Sequence, residues 1–381
     1  MDAQPLPPAG EAAITRFTEQ VFAHLTRVDQ RRWARAYLHG LLAAPGRKSL
    51  SNLAASLSTS RTAALSLQQF INDSPWDWRP ARRALTRVAS QEGPVRAWTA
   101  TLAVIPKRGD QAVGVHRRFD PSVGRTVKCQ VAAGLFIASG REALPVDWSL
   151  LLDPSWTEEP QRRARARIPE SAGPRPAWQL LVDMVDRLAA HQPPAPLIAD
   201  LGITEQLPQL AGALARRGIP YLLEARPGQL VRPALQAAAG RLGTGRSGGV
   251  EAEALFPRPR LRPGGGPQPT LRGVPVQLPA ENGAPVHWLW AHSCHPGGPR
   301  RYWLTGLTEE APGILALIES AASTRGTVDR LGAEFGLRDF SGRSYLGWHH
   351  HMTMVSAAYA FGRHSAGRPD RVSRESLSTS A

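Results

Sequence analysis

The sequence predicts an α/β protein in which a mixed sheet with flanking helices follows an all-α N-terminal domain and is interrupted by a Pro/Gly-rich insertion. Three observations favour this class. Apolar residues recur every three or four positions up to about residue 92, and every second position from residue 96. Beyond residue 150, short apolar runs alternate with amphipathic helical segments. Residues 226–298 then shift towards Pro, Gly and Arg, a composition typical of loops and short strands.

The predicted N-terminal domain covers residues 11–92. Phe17, Val21 and Leu25 fall on one helical face, and a break at Pro45 and Gly46 precedes Ser49, a predicted N-cap. Residues 1–10 are rich in Pro and Ala, and residues 364–381 are rich in Ser and Arg, so we expect disorder at both ends.

The predicted sheet begins where the period changes. Alternating segments predict strands at residues 96–105, 111–119 and 126–138, followed by an extended piece at 144–152 that is a candidate fourth strand. Helical segments and buried strands then alternate, with helices at 158–167, 178–190 and 205–216 and strands at 196–200 and 219–224. Three strands, a helix, a strand, a helix and a strand is the element order of the ribonuclease H-like fold.

The predicted α/β domain resumes after the insertion. Residues 226–300 form a predicted insertion subdomain with short strands at 274–278 and 286–291. A strand at 301–304 follows, and then helices at 311–322, 328–335 and 352–361. We therefore assign the α/β domain to residues 93–225 and 301–363.

The charge of the chain points to a polyanionic partner. The net charge is +15, and 43 of the 46 basic side chains are arginines, which make bidentate contacts with phosphates. A GC-rich genome would explain the preference for Arg over Lys, but not the excess of positive charge.

Two cysteines exclude a disulfide framework and suit a reducing compartment. No segment resembles a signal peptide and no apolar run reaches the length of about 18 residues needed to span a bilayer, so we expect a cytoplasmic protein.

The predicted hairpin at residues 106–131 is the most basic stretch of the sheet. We expect one of its faces to carry several cations close together, with Asp110 and Asp120 as the only acids among them. A solvated sheet edge has the same composition, so this alternative stays open. The cations predicted to contact DNA are Lys107, Arg117, Arg118, Arg125, Lys128, Arg162, Arg163 and Arg343.

Seven segments of the chain, in the same order, resemble the bacterial insertion-sequence transposases that carry a DDE superfamily endonuclease domain. They are RRWARAYLHGLL (31–42), LQQFINDSPWDW (67–78), PKRG with AVGVHRRF and VGRTVKCQV (106–131), VDWSLLLDPSW (146–156), RRARARIP (162–169), LIADLG (197–202) and FGLRDFSGRSYLGWHHH (335–351). The resemblance implies a ribonuclease H-like sheet on which three carboxylates hold two divalent metal ions for attack on a phosphodiester. It also implies DNA as the partner.

Two of the three implied acids are missing from this sequence. Asp200, at the end of a predicted strand, matches the second position. Thr101 stands at the first position and Arg325 at the third. A single carboxylate holds Mg²⁺ weakly, so we expect a weak Mg²⁺ ligand at most and no cofactor unless the site is active. Asp200 is also open to interpretation as a strand-end acid kept by ancestry.

Other candidate residues have simpler interpretations. Asp329 and Glu334 are the nearest acids to Arg325 and are the candidates for a rebuilt site. A zinc site would need a second ligand pair beside His287, His292, Cys294 and His295, so we interpret these residues as an ordinary loop. We interpret His349, His350 and His351 as phosphate contacts or helix caps. Core packing is the default for Trp76, Trp78, Trp148 and Trp156.

The leading hypothesis is therefore a transposase-like DNA-binding protein that is inactive in DNA cleavage and strand transfer. Its helical N-terminal domain would contact DNA, and it would be cytoplasmic and nucleoid-associated, with no membrane partner. A homo-oligomer is compatible with the sequence. Two alternatives remain: an active metal-dependent transposase that uses Asp329 or Glu334, and a decayed pseudoenzyme with no nucleic-acid partner.

Overall fold

The computed structural model describes residues 8–57, 62–120, 124–139, 142–234, 249–257, 270–279, 285–293 and 299–366. Most of the predicted disordered ends, together with Cys294 and His295, lie outside these residues. Within them, no helix is both long and apolar enough to cross a membrane.

Five helices form the N-terminal part of the chain: α1 (Pro8–Val21), α2 (Val28–Ala43), α3 (Leu50–Ser56), α4 (Ala63–Asn72) and α5 (Trp78–Gln91). Ser49 caps α3, because its side chain accepts a hydrogen bond of 3.2 Å from the backbone N–H of Asn52, as predicted. Leu53, fully buried, packs against Gly40 of α2, where an added Cβ would lie 3.0 Å from the Cβ of Leu53. Gly40 therefore permits the close approach of α2 and α3.

The central strands have the order of a ribonuclease H-like sheet. They are β1 (Val95–Pro106), β2 (His116–Asp120), β3 (Arg125–Ser139), β4 (Glu142–Leu151), β5 (Leu197–Asp200) and β6 (Tyr221–Ala225). β3 pairs antiparallel with β1 and with β4, whereas β5 pairs parallel with β1 and β6 parallel with β5. The spatial order is thus β4-β3-β1-β5-β6, with β2 paired to the N-terminal end of β3. The predicted fold class is confirmed.

The strands of the insertion extend this same sheet. They are β7 (Leu230–Pro233), β8 (Val250–Glu251), β9 (Thr270–Gln277) and β10 (His287–Ser293), followed by β11 (Arg301–Thr305). β11 pairs antiparallel with β6, and β10 and β9 follow outward, so the described part of the chain forms one eleven-stranded sheet. His287 and His292 lie in β10, so their interpretation as loop residues is wrong.

The remaining helices are α6 (Pro160–Ala166), α7 (Ala177–Ala189), α8 (Leu207–Ala215), α9 (Ala311–Ala333) and α10 (Tyr345–Ala366), with 3-10 turns at Pro154–Trp156 and Ala252–Leu255. α9 is one helix where the sequence predicted two, since Thr324 and Thr327 are buried against the sheet and hold it across Gly326. α10 begins seven residues earlier than the predicted Met352 and is buried along most of its length.

Candidate functional site

The site lies at the carboxyl ends of β5 and β6, which run parallel to each other and to β1. Asp200 is the last residue of β5, and its register partner in β1 is Thr101. β6 runs parallel to β5, with Ala199 opposite Leu223, which places Glu224 beside Asp200 on the same sheet edge. Parallel strands bring their carboxyl ends together, so two carboxylates meet here although the sequence analysis named only one.

Two arginines from other elements bind these carboxylates. Arg325, in α9, donates from Nη1 to Oδ2 of Asp200 over 2.9 Å. Arg301, the first residue of β11, donates from Nη2 to the same oxygen over 3.2 Å. Arg301 also contacts Glu224 bidentately, with Nε to Oε1 and Nη2 to Oε2 both at 2.6 Å. The side chains are partly buried, from 18% exposed for Glu224 to 37% for Arg325.

The two acids of the cluster differ in their proton affinity. Burial, and next a hydrogen bond with Asp200, raise the pKa of Glu224 to about 7 in spite of Arg301. Burial also opposes ionisation of Asp200, but its hydrogen bond with Glu224 and the charges of Arg301 and Arg325 outweigh this effect and lower its pKa. Asp200 is therefore the ionised member of the pair, and the first proton that the pair takes up goes to Glu224.

A third arginine approaches the cluster at the turn after β5. Gly202 has a φ of +63°, and an added Cβ would lie 2.5 Å from Nη2 of Arg226. A side chain at position 202 would therefore be strained and would displace Arg226. Arg226 thus covers the turn that follows Asp200, whereas the guanidinium groups that contact Asp200 come from β11 and α9.

These residues do not fit a divalent metal ion. Mg²⁺ takes oxygen ligands, and Oδ2 of Asp200 and both carboxylate oxygens of Glu224 are instead engaged by guanidinium groups. Asp329 is exposed, and Glu334 pairs with Arg330 at 3.6 Å. Among the described residues, no three His, Cys, Asp or Glu side chains are grouped so as to hold a metal ion.

A basic groove lies between β2, α6 and the segment before α10. Its volume is about 660 Å³, and three of the predicted DNA contacts line it: Arg117, Arg162 and Arg343. Arg162 lies over the ring of Trp156, 3.8 Å from its centroid. Arg165 adds to the positive lining, His116 adds a polar ring, and Asp110, Asp153 and Glu159 are the acids of the groove.

The other predicted DNA contacts have varied surroundings. Arg118 and Arg125 are exposed, whereas Lys128 pairs with Asp110 at 2.6 Å and Arg163 donates to the carbonyls of Pro169 and Ala172. Lys107 donates to the carbonyls of Arg338 and Phe340, and burial lowers its pKa to about 8.

The cations of the hairpin lie on both of its faces. Arg117 lies opposite Lys128, and Arg118 opposite Val127. Since successive strand residues face opposite sides, the prediction of a single cationic face is wrong.

The three consecutive histidines are core residues of α10. Each is at most 4% exposed, so their interpretation as phosphate contacts or helix caps is wrong. His350 contacts the carbonyls of Ile71 and Trp76, and His351 contacts Tyr37 and the carbonyl of Gly336. Trp76, Trp148 and Trp156 are buried as expected, and Trp78, partly buried, stacks on His349 at 4.3 Å.

Sequence reasoning missed Glu224 and Arg301. Glu224 had a usable signal, because it closes a buried strand as Asp200 does. Arg301 had none, since its place beside Asp200 depends on how β11 pairs with β6 after an insertion of unknown path.

The order of the central strands, with an acid at the end of β5, defines a ribonuclease H-like nuclease fold. The chain matches a family model described as DDE superfamily endonuclease over residues 20–275, about two thirds of its length. The protein belongs to this family. The match includes Thr101 and Asp200 and ends before Arg325. No curated protein matches the chain.

Proposed function

We propose that this protein is a transposase-derived DNA-binding protein in which arginines neutralise the endonuclease site, so that DNA cleavage and strand transfer are lost. The observation that carries the proposal is the pairing of Asp200 with Arg325 and Arg301. The resemblance implies that three acids share two metal ions at this place. Here two positive side chains balance two carboxyl groups and engage three of their four oxygens, which leaves too few oxygen ligands for two metal ions.

The cluster retains the capacity to bind a phosphodiester but lacks the means to break it. Guanidinium groups donate hydrogen bonds to phosphate oxygens and stay protonated at any ordinary pH, so none of them can deprotonate an attacking water. Glu224 is held by Arg301 through both oxygens and is poorly placed to act as a base.

Contact with DNA is proposed for the basic groove. Arg117 and Arg343 are exposed and Arg162 is half-buried, and all three line one concave surface beside the hairpin. Phosphate contacts of this kind release counterions, so binding should weaken steeply with salt. The N-terminal helices, with arginines on their exposed faces, are proposed to contribute further contacts. An insertion-sequence origin and a cytoplasmic, nucleoid-associated location are part of the same proposal, and oligomerisation stays open to measurement.

The test is a binding and cleavage assay with purified protein and labelled duplex DNA. Binding is measured at about 50 and about 200 mM salt, where six phosphate contacts predict a loss of about 10³-fold in affinity. Mg²⁺ or Mn²⁺ is added to parallel samples, and nicking is scored in the same tubes. We expect salt-dependent binding without metal-dependent nicking.

Two other results would contradict the proposal. Metal-dependent nicking that is lost in Asp200→Ala and in Asp329→Asn or Glu334→Gln would establish an active enzyme with substitute acids. If the protein bound no DNA at both salt concentrations, the result would support the alternative of a decayed pseudoenzyme with no nucleic-acid partner.

A further inference from the structure

A cavity of about 340 Å³ lies apart from the carboxylate cluster and from the basic groove. It lies between α5 and α7, which both pack on β3 and β4, and it is closed at one end by Tyr345 and His349 of α10. Its floor is apolar, with Val146, Leu150 and Met184 among the lining residues. Its size and mixed lining are those of a small-molecule site.

His349 presents an unused hydrogen-bond donor at this cavity. The ring is 4% exposed and lines the cavity, and its Nε2 has no hydrogen-bond partner among the described residues. Arg82, 3.2 Å away through Nη2, can only donate, so Nδ1 of His349 is an acceptor. Burial, and next the charge of Arg82, lower the pKa of His349 well below its usual value. The ring is therefore neutral, with its one proton on Nε2.

A buried donor without an acceptor is costly, and a ligand oxygen would remove the cost. The ring cannot rotate to find another acceptor, because Arg82 holds Nδ1 and Trp78 stacks on its face with an interplanar angle of 5°. Arg82 is itself held by Asp147 at 2.6 Å.

The charge around the cavity selects an anion. Five arginines and two aspartates line it, and both aspartates are already paired, Asp147 with Arg82 and Arg187 and Asp183 with Arg175. Arg83 is exposed at the mouth and has no ion-pair partner in the part of the chain that the structure describes.

We propose that this cavity binds a small organic anion, a carboxylate on a flat apolar body. Its oxygens accept from Arg83 and, once Tyr345 shifts from its packing against the buried ring 4.6 Å away, from Nε2 of His349, and its body packs on Val146, Leu150 and Met184. The proposal does not depend on DNA binding or on the state of the carboxylate cluster.

The probes are three derivatives that share the naphthalene ring and carry an anionic, a neutral or a cationic group: 2-naphthoate, 2-naphthalenemethanol and 2-naphthylmethylammonium. Calorimetric titration of the full chain should give 2-naphthoate an affinity about tenfold higher than that of the alcohol, as one charge-assisted hydrogen bond predicts, and no binding of the ammonium. Equal affinity of the three probes, or no binding of 2-naphthoate, would overturn the proposal.

Variants locate the binding. Arg83→Gln should weaken 2-naphthoate about fivefold and leave the alcohol unchanged, whereas Arg87→Gln, exposed one turn further along α5 and outside the cavity, should change neither. Leu180→Trp, which fills the half-buried lining of the cavity, should abolish binding of both. An Arg87→Gln variant as weak as Arg83→Gln would show a general surface effect and refute the site. Duplex DNA that displaces 2-naphthoate would assign the cavity to the nucleic-acid surface instead.

Discussion

The guanidinium of Arg301 contacts the carboxylate of Glu224 through two hydrogen bonds of 2.6 Å and reaches Asp200 with the same Nη2 atom, 3.2 Å away. A single side chain of β11 thus pairs with acids near the ends of two different strands. Its own face is covered by Trp303, whose ring centroid lies 4.8 Å from the guanidinium carbon. The cluster consequently adds side-chain contacts between β11 and the ends of β5 and β6 to the backbone pairing of β11 with β6.

Replacement of Arg301 should destabilise the fold. Arg301→Met leaves two neighbouring, partly buried carboxyl groups with only Arg325, and we expect the free energy of unfolding at pH 7 to fall by about 2–4 kcal/mol. Urea denaturation measures the change. Arg272→Met, at an exposed arginine of β9, which is separated from β11 by β10, is the matched control and should cost less than about 0.5 kcal/mol. Equal losses in the two variants would show that the carboxylate contacts carry no particular stability.

The raised pKa of Glu224 predicts a pH dependence of stability. Because its pKa in the folded protein is about 7, above the ordinary value of 4.5, the folded state binds this proton more tightly than the unfolded state. Its contribution is fully present below about pH 4.5 and is lost as the pH rises through 7. Glu224→Gln should therefore gain up to about 3 kcal/mol relative to the wild type between pH 4.5 and 8, measured by urea denaturation at each pH. A constant difference between the two proteins across this range would contradict the prediction.

Two substitutions should create a metal site. Thr101→Asp combined with Arg325→Glu places carboxylates at register partner 101 and in α9, on either side of Asp200. Such a cluster has the hard oxygen ligands that Mg²⁺ and Mn²⁺ prefer. Calorimetry should detect Mn²⁺ binding in the double variant and not in the wild type. Thr101→Asp with Arg330→Glu, which adds the same charges but leaves Arg325 in place, is the control. Equal Mn²⁺ binding by the control would mean that net charge alone is responsible.

The basic groove should set the salt dependence of DNA binding. Arg117→Gln and Arg343→Gln each remove one proposed phosphate contact, so each should lower the slope of log affinity against log salt by about 1. Arg216→Gln, an exposed arginine at the end of α8, should leave the slope unchanged. Fluorescence anisotropy at four salt concentrations gives the slopes. If Arg216→Gln reduced the slope equally, DNA binding would depend on the overall positive charge of the chain and not on the groove.

Arg82 should be the most sensitive arginine of the N-terminal helices. It is 5% exposed and donates to Asp147, Thr353 and the carbonyls of Trp148 and His349. Arg82→Met removes a donor from each of these acceptors and should cost about 3 kcal/mol, although Arg187 still pairs with Asp147 and Thr353 still donates to the carbonyl of His349. Arg79→Met, whose exposed side chain pairs with Asp77 at 3.6 Å, should cost less than about 1 kcal/mol. Thermal denaturation of the two variants measures the two losses of stability, and equal losses would contradict the prediction.

The sequence was sufficient for features that depend on local periodicity. Residue types alone predict the alternation at β1 and β3, the buried run that ends in Asp200 and the cap at Ser49. The order of these strands along the chain was predicted correctly from the same patterns. Helix α9 was divided in the prediction because Gly326 lowers helix propensity locally. The buried threonines on either side of it stabilise the helix through tertiary contacts, for instance Thr324 with Thr99 at 2.5 Å.

Only part of the candidate site could be predicted from the sequence. Asp200 and the substitutions at positions 101 and 325 were visible as residue types, but the contact of Arg325 with Asp200 requires the packing of α9 on the sheet. The role of Arg301 requires the register of β11 against β6, which no local pattern encodes. The histidines of α10 looked like surface ligands because polar residues are usually exposed, and only their stacking partners reveal them as core.

The balance of two arginines against two carboxyl groups also bears on the evolutionary history of the chain. Replacing Arg325 alone by an acid would bring three carboxyl groups together with one guanidinium, and replacing Thr101 alone would add a buried negative charge beside Asp200. Either single step lowers stability before any metal can be bound. Under the proposed loss of catalysis, a stepwise return would therefore pass through a less stable single variant.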